Sequence, residues 1–145
     1  MSNINQKVNT GLITFTFTNE VGEVFASFQM NPRDLNAYNR CVKMVEYFRE
    51  HNAPEIHNMD DFIAYNQQIE QKVCEMLGYN ARPSLFGKVS ALTVLPDKRT
   101  FVVVVLESVA KALEEEGKRW ENMMKYAHDK HLSKYEPDGE PGQWI

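Results

Sequence analysis

Cysteine is scarce in this chain: Cys41 and Cys74 are the only two in 145 residues. They lack a C-x-x-C spacing and are too few for a disulfide framework, which excludes a cysteine-built zinc finger and a stapled secreted scaffold. Both fall at apolar-periodic positions of expected helices, where a buried, reduced thiol is at home. Basic residues are not in excess either. Sixteen Lys+Arg face 20 Asp+Glu, for a formal net charge of -4 and a pI near 5.6, so the clustered basic surface of a duplex-DNA sheath is missing. No long hydrophobic run is present. The longest, FVVVVL from Phe101 to Leu106, is far short of the ~18–20 residues of a membrane span. The first residues, MSNINQKVNTGLITF, contain no apolar stretch of a signal peptide. The expected location is the cytoplasm. With 43% hydrophobic and 25% charged residues, the composition is that of a globular protein with a core.

Catalytic motifs are missing as well. The stretch NARPSLFGKVSALTVLPDKRTF (80–101) places Gly87-Lys88 after an apolar helical pattern. A phosphate-binding loop needs G-x-x-x-x-G-K-[ST] between a strand and a helix. Here Val89 follows Lys88, Ser90 comes one place late, and Arg82 stands where the first glycine belongs. The stretch therefore reads as a connector: Ser84 caps a short helix, Leu85, Phe86 and Val89 cover the core, and Gly87 permits close backbone approach. His128 and His131, spaced i, i+3, could share a metal in a metal-dependent hydrolase, but no third ligand stands at a defined spacing. Asp60-Asp61 suit a helix start. Glu114-Glu115-Glu116 read as a solvated face. No serine stands in a G-x-S-x-G elbow. Neither a catalytic residue nor a cofactor is expected. A second alternative is a small nucleic-acid-binding regulator using Arg82, Lys88, Lys98 and Arg99.

What is present has clear periodicity. LITFTFT and VFASFQM alternate around NEVGE, which predicts a β-hairpin over residues 12–30. Ile13, Phe15 and Phe17 point one way on the first strand. On the second, Val24, Ala26, Phe28 and Met30 oppose Phe25. Asn31-Pro32 should open a helix, with Leu35, Tyr38, Val42, Val45 and Phe48 on its apolar face. A second helix carries Phe62, Tyr65, Ile69, Val73, Met76 and Leu77 and stops at Gly78. From about Lys98 no proline occurs until Pro137. FVVVVL suits a strand or a helix, and the continuing stripe of Val109, Leu113, Trp120 and Met124 predicts a long helix. Gly117 is a plausible weak point in it. The fold class expected is α+β: a hairpin against a mainly helical body at 1–135, with a C-terminal arm at 136–145. That arm, EPDGEPGQWI, is too polar to form a core and ends in an apolar pair, Trp144-Ile145, suited to docking. A two-stranded hairpin leaves pairable edges, which predicts a homo-oligomer or strand addition.

This layout resembles the tail assembly chaperones of Gram-positive phages and prophages. FTFTNEVGEVFASFQMNPRDLNAYNRC looks like their first part. IEQKVCEMLGYNARPSLFGKVS, with Leu85-Phe86-Gly87, looks like the second. VVLESVAKALEEEGKRWENMMKYAHDKHLSKY is similar to the closing charged helix. The resemblance implies a non-enzymatic chaperone that coats the tape-measure protein and hands it to tail-tube subunits. The residues expected to contact protein partners are Leu85, Phe86, Met123, Met124, Trp144 and Ile145. Methionine is well suited to adaptable apolar surfaces.

Overall fold

A computed structural model describes residues 3–135, with side chains as far as Tyr126. Trp144, Ile145 and the rest of the expected arm lie outside the described residues, as do the side chains of His128 and His131.

The chain runs β1 (Ile13–Thr18), β2 (Val24–Met30), α1 (Leu35–Glu50), α2 (Met59–Leu77), α3 (Arg82–Leu85) and α4 (Phe101–Tyr135). The α+β class expected from the sequence is the one observed. The two strands pair antiparallel, with Ile13 opposite Met30 and Phe17 opposite Ala26. Asn19 closes the turn: its side-chain oxygen accepts from the amides of Val21 and Glu23, and Gly22 sits at φ 82°. The register then shifts, so that Thr18 faces Val24 and Phe25 is the extra residue. Such a bulge redirects a side chain. Strict alternation put Phe25 opposite Ala26 and Phe28, yet its ring reaches Phe101 at 5.4 Å, on the same neighbour as Phe17 at 5.5 Å. Val24 is left exposed.

α1 starts three residues later than Asn31-Pro32 suggested. Asp34 is the N-cap and accepts from the Asn36 amide. Asn31 instead accepts from Arg33 N and donates to the Thr10 carbonyl, tying the chain before β1 to the exit of β2. The face of α1 is also turned. Ala37, Cys41 and Met44 are buried, whereas Leu35, Tyr38, Val45 and Phe48 are exposed. α2 is read correctly in its C-terminal half: Ile69, Val73, Met76 and Leu77 are buried, while Phe62 stays exposed. Asn58 caps its start by accepting from Asp61 N, and the Asp61 carboxylate accepts from the amide of His57, one residue before the cap. Gly78 ends α2 in the left-handed region, φ 84°.

After α3, the chain turns at Gly87, where an added Cβ would run into the Pro83 carbonyl oxygen; close backbone approach is the role expected of it. Ser84 does not cap α3, since its hydroxyl donates back to the Ala81 carbonyl. FVVVVL is helical. The Phe101 and Val102 amides, which no helix can satisfy internally, donate to the Thr93 and Ala91 carbonyls. The helix runs on through Gly117 without a break. One core joins Phe28 of β2 to Val109 of α4. Glu116, expected on a solvated face, is 6% exposed and lies 3.6 Å from both Arg33 and Arg119.

Phe101 is 1% exposed and touches the rings of Phe17, Phe25 and Phe86. Phe101→Ala should cost about 3–5 kcal/mol in urea unfolding. Phe62→Ala, at a 40% exposed site, should cost about 1 kcal/mol or less.

Candidate functional site

α1 packs on α2 through small and flexible residues. Ala37 is 1% exposed and lies with Cys41 and Met44 on the buried side of α1. Arg40 ties them further by donating to the carbonyls of Met76 and Leu77 at the end of α2. That packing uses one side of α1. The apolar residues of α1 span a wider arc than α2 can cover, and the remainder faces α4.

Between α1 and α4 lies an open groove of about 530 Å³. Cys41, Met44, Val45, Phe48 and Arg49 of α1 form one wall, and Leu106, Val109, Ala110 and Leu113 of α4 form the other. Met76 of α2 joins Met44 in the lining. Among the described residues, Arg49 is the only charged one in this lining. Val45 is 51% exposed and Phe48 36%, so the α1 wall is accessible. Tyr38 and Trp120 approach edge to face with centroids 6.2 Å apart, linking the start of α1 to α4 beyond Leu113. A cleft with apolar walls and few polar groups can take apolar side chains, but it offers no set of convergent groups to orient a polar substrate.

Burial pushes the Cys41 thiol above its ordinary value, with the Arg40 charge opposing. The folded chain therefore holds a proton that the unfolded chain gives up as pH rises past about 8.5. This contribution leaves stability intact at neutral pH and lowers it at alkaline pH.

The sequence-derived contacts fare differently. Leu85 and Phe86 are 0% and 6% exposed; they belong to the core and present no surface to a partner, so their expected contact role is withdrawn. Met123 and Met124 are 62% and 58% exposed, on the part of α4 beyond the core. Arg82 pairs with Glu70 at 3.2 Å and donates to the Gln67 carbonyl. Glu70 is buried; it accepts from the Ala91 amide and from Asn66, while Asn66 accepts from the Leu92 amide. This cluster ties the loop before α4 to α2. Arg99 pairs with Asp97 and Glu107. Its hydrogen bond to Asp97 holds that carboxyl below the usual range. Two of the four cations considered for nucleic acid are thus engaged within the chain. Among the described residues, no group of three His, Cys, Asp or Glu side chains could hold a metal, and no helix is long and apolar enough to cross a membrane.

The groove is not legible in the sequence, although its apolar residues are. Val45, Phe48, Leu106 and Leu113 all look like core positions. The available signal was the width of the α1 stripe, since apolar residues at 41, 42, 44, 45 and 48 cover more than one helix face. No protein-family model matches the chain, and neither a curated protein nor a solved structure does.

Cys74 is partly exposed, whereas Cys41 is buried. The thiolate is the nucleophile, so iodoacetamide should modify Cys74 well before Cys41 at mildly alkaline pH, as read by peptide mass spectrometry.

Proposed function

We propose that this chain is a non-enzymatic phage tail assembly chaperone, acting in the cytoplasm of a bacterial host on helical segments of the tape-measure protein. The observation that carries this reading is the apolar groove between α1 and α4, with Met44 and Met76 in its lining. An amphipathic helix binds such a groove through apolar anchors at i, i+3 or i+4 and i+7. Methionine side chains adapt to anchors of different shape, which suits a client with many unlike helical stretches. The net charge of -4 helps keep a protein with exposed apolar walls in solution. The order of hairpin, paired helices, Leu85-Phe86-Gly87 loop and long charged helix supports assigning the client to a phage tail. Delivery to tail-tube subunits belongs to the same proposal.

The test is co-expression with fragments of the tape-measure protein encoded in the same genome. The wild-type chain should co-purify with them and keep them soluble. Val45→Asp and Phe48→Asp place charge on exposed groove positions, so they should leave the fold intact by circular dichroism. They should weaken the complex by about tenfold or more, equivalent to about 1.4 kcal/mol. A complex unaffected by either substitution would remove the groove from the interaction. The absence of any complex with the wild-type chain would contradict the proposal.

A further inference from the structure

We infer that the C-terminal half of α4 from a second copy of this chain lies antiparallel in the α1–α4 groove, making the free protein a two-fold dimer in which each copy fills the other's groove. The inference rests on reading that groove as a helix-binding site.

α4 outruns the body that it helps to build. Glu116 is buried and Trp120 half-buried, but every residue from Glu121 to Tyr126 is exposed. Met123 and Met124 lie in this extension, 62% and 58% exposed. Met124 is not isolated along the helix. Leu106, Ala110, Leu113, Gly117, Trp120 and Met124 recur at spacings of four and three, the repeat of a helix-packing seam. The first three line the groove, and Met124 belongs to the extension. One seam therefore runs from the groove into solvent.

An antiparallel second copy sets the extension of each helix against the groove half of the other. The lengths agree: ten residues separate Leu106 from Glu116 and ten more reach Tyr126, about 15 Å each way. Gly117 lies near the centre of this span, and nothing lies within 4 Å of a Cβ added there, so the crossing point is open. Val45 and Phe48 of α1 supply the second wall for the incoming helix.

Charge selects the direction. Beside the seam, Glu107, Lys111, Glu114, Lys118, Glu121 and Lys125 alternate in sign. A two-fold axis near Glu116 places Glu107 across from Lys125 of the second copy, Lys111 across from Glu121 and Glu114 across from Lys118. In a parallel pair the two charged rows would fall on opposite sides of the seam and could not pair with each other. Within one copy, the Lys118–Glu114 pair is 3.8 Å apart with both side chains 71% exposed. Such a pair holds little energy by itself, so it can re-pair across an interface.

Sedimentation equilibrium on the free, full-length chain tests this without any client. The wild type should be a dimer, and Met123→Asp with Met124→Asp should raise its dissociation constant by about tenfold or more. Lys111→Glu should weaken it too, and adding Glu121→Lys should restore it. Both changes worsen the charge pattern within one helix, so recovery can come only from the partner. A wild-type monomer at high micromolar concentration overturns the inference. So does a dimer indifferent to the methionine changes, including one that depends on the β1 edge. A charge swap without recovery overturns the antiparallel arrangement. The Lys111→Glu variant, changed at a position outside the groove lining, should still bind tape-measure fragments; if it dissociates yet binds none of them, the client reading fails and the dimer stands.

Discussion

The aromatic contact centred on Phe101 sets the rest of the structure. This residue opens α4, and its ring meets Phe17 and Phe25 from the hairpin and Phe86 from the turn after α3. A two-stranded hairpin is marginal alone in water; Phe101 gives it a third surface to rest on. Phe15 stacks on Phe28 at 4.6 Å and extends the same cluster. The backbone supports the placement, because the Phe101 and Val102 amides end on carbonyls of the preceding loop. That loop is held in turn by Glu70 and Asn66 of α2. With its first turn fixed on the hairpin side, α4 can lean along α1 without closing on it, and a groove remains.

The elements themselves were legible because hydrophobic periodicity, Gly78 and the NEVGE turn are local signals. Where the chain departs from the sequence reading, a non-local partner decided the outcome. Asn31 could have capped a helix, but the Thr10 carbonyl and Arg33 amide took its side chain, and Asp34 capped instead. The α1 face turned toward Ala37, Cys41 and Met44, which are buried, while Tyr38 meets Trp120 of α4 instead. Phe25 changed sides because a bulge adds one residue to β2. Leu85 and Phe86 could be read as core or as contact residues, and only the packing of α3 decides for the core. Glu116 looked like one of three solvated acids until Arg33, far along the chain, came within reach. The groove was the least legible feature. Core and open-groove residues share the same composition, and only the separation of two helices distinguishes them.

Methionine is divided in a way that bears on function. Met30, Met44 and Met76 are buried, whereas Met59, Met123 and Met124 are exposed. Met44 and Met76 join Val45 and Phe48 in the groove, so the cleft combines an adaptable lining with a stiffer, accessible wall. A surface of this kind favours shape-tolerant, apolar recognition over a single polar substrate. Client binding and self-association would then compete for one site. Such competition would keep apolar surface covered until a client arrives, a requirement for any protein that exposes it.

The central claim is that the groove receives a helix of the tape-measure protein, and methyl NMR tests it most directly. With methionine methyl groups labelled, titration with a tape-measure segment should shift the resonances of Met44 and Met76 in the groove. Met30, buried at the end of the hairpin strand, should stay in place. If saturating segment leaves Met44 and Met76 unmoved, or the shifts fall on Met30 and Met59 instead, the groove is not the site and the account is wrong.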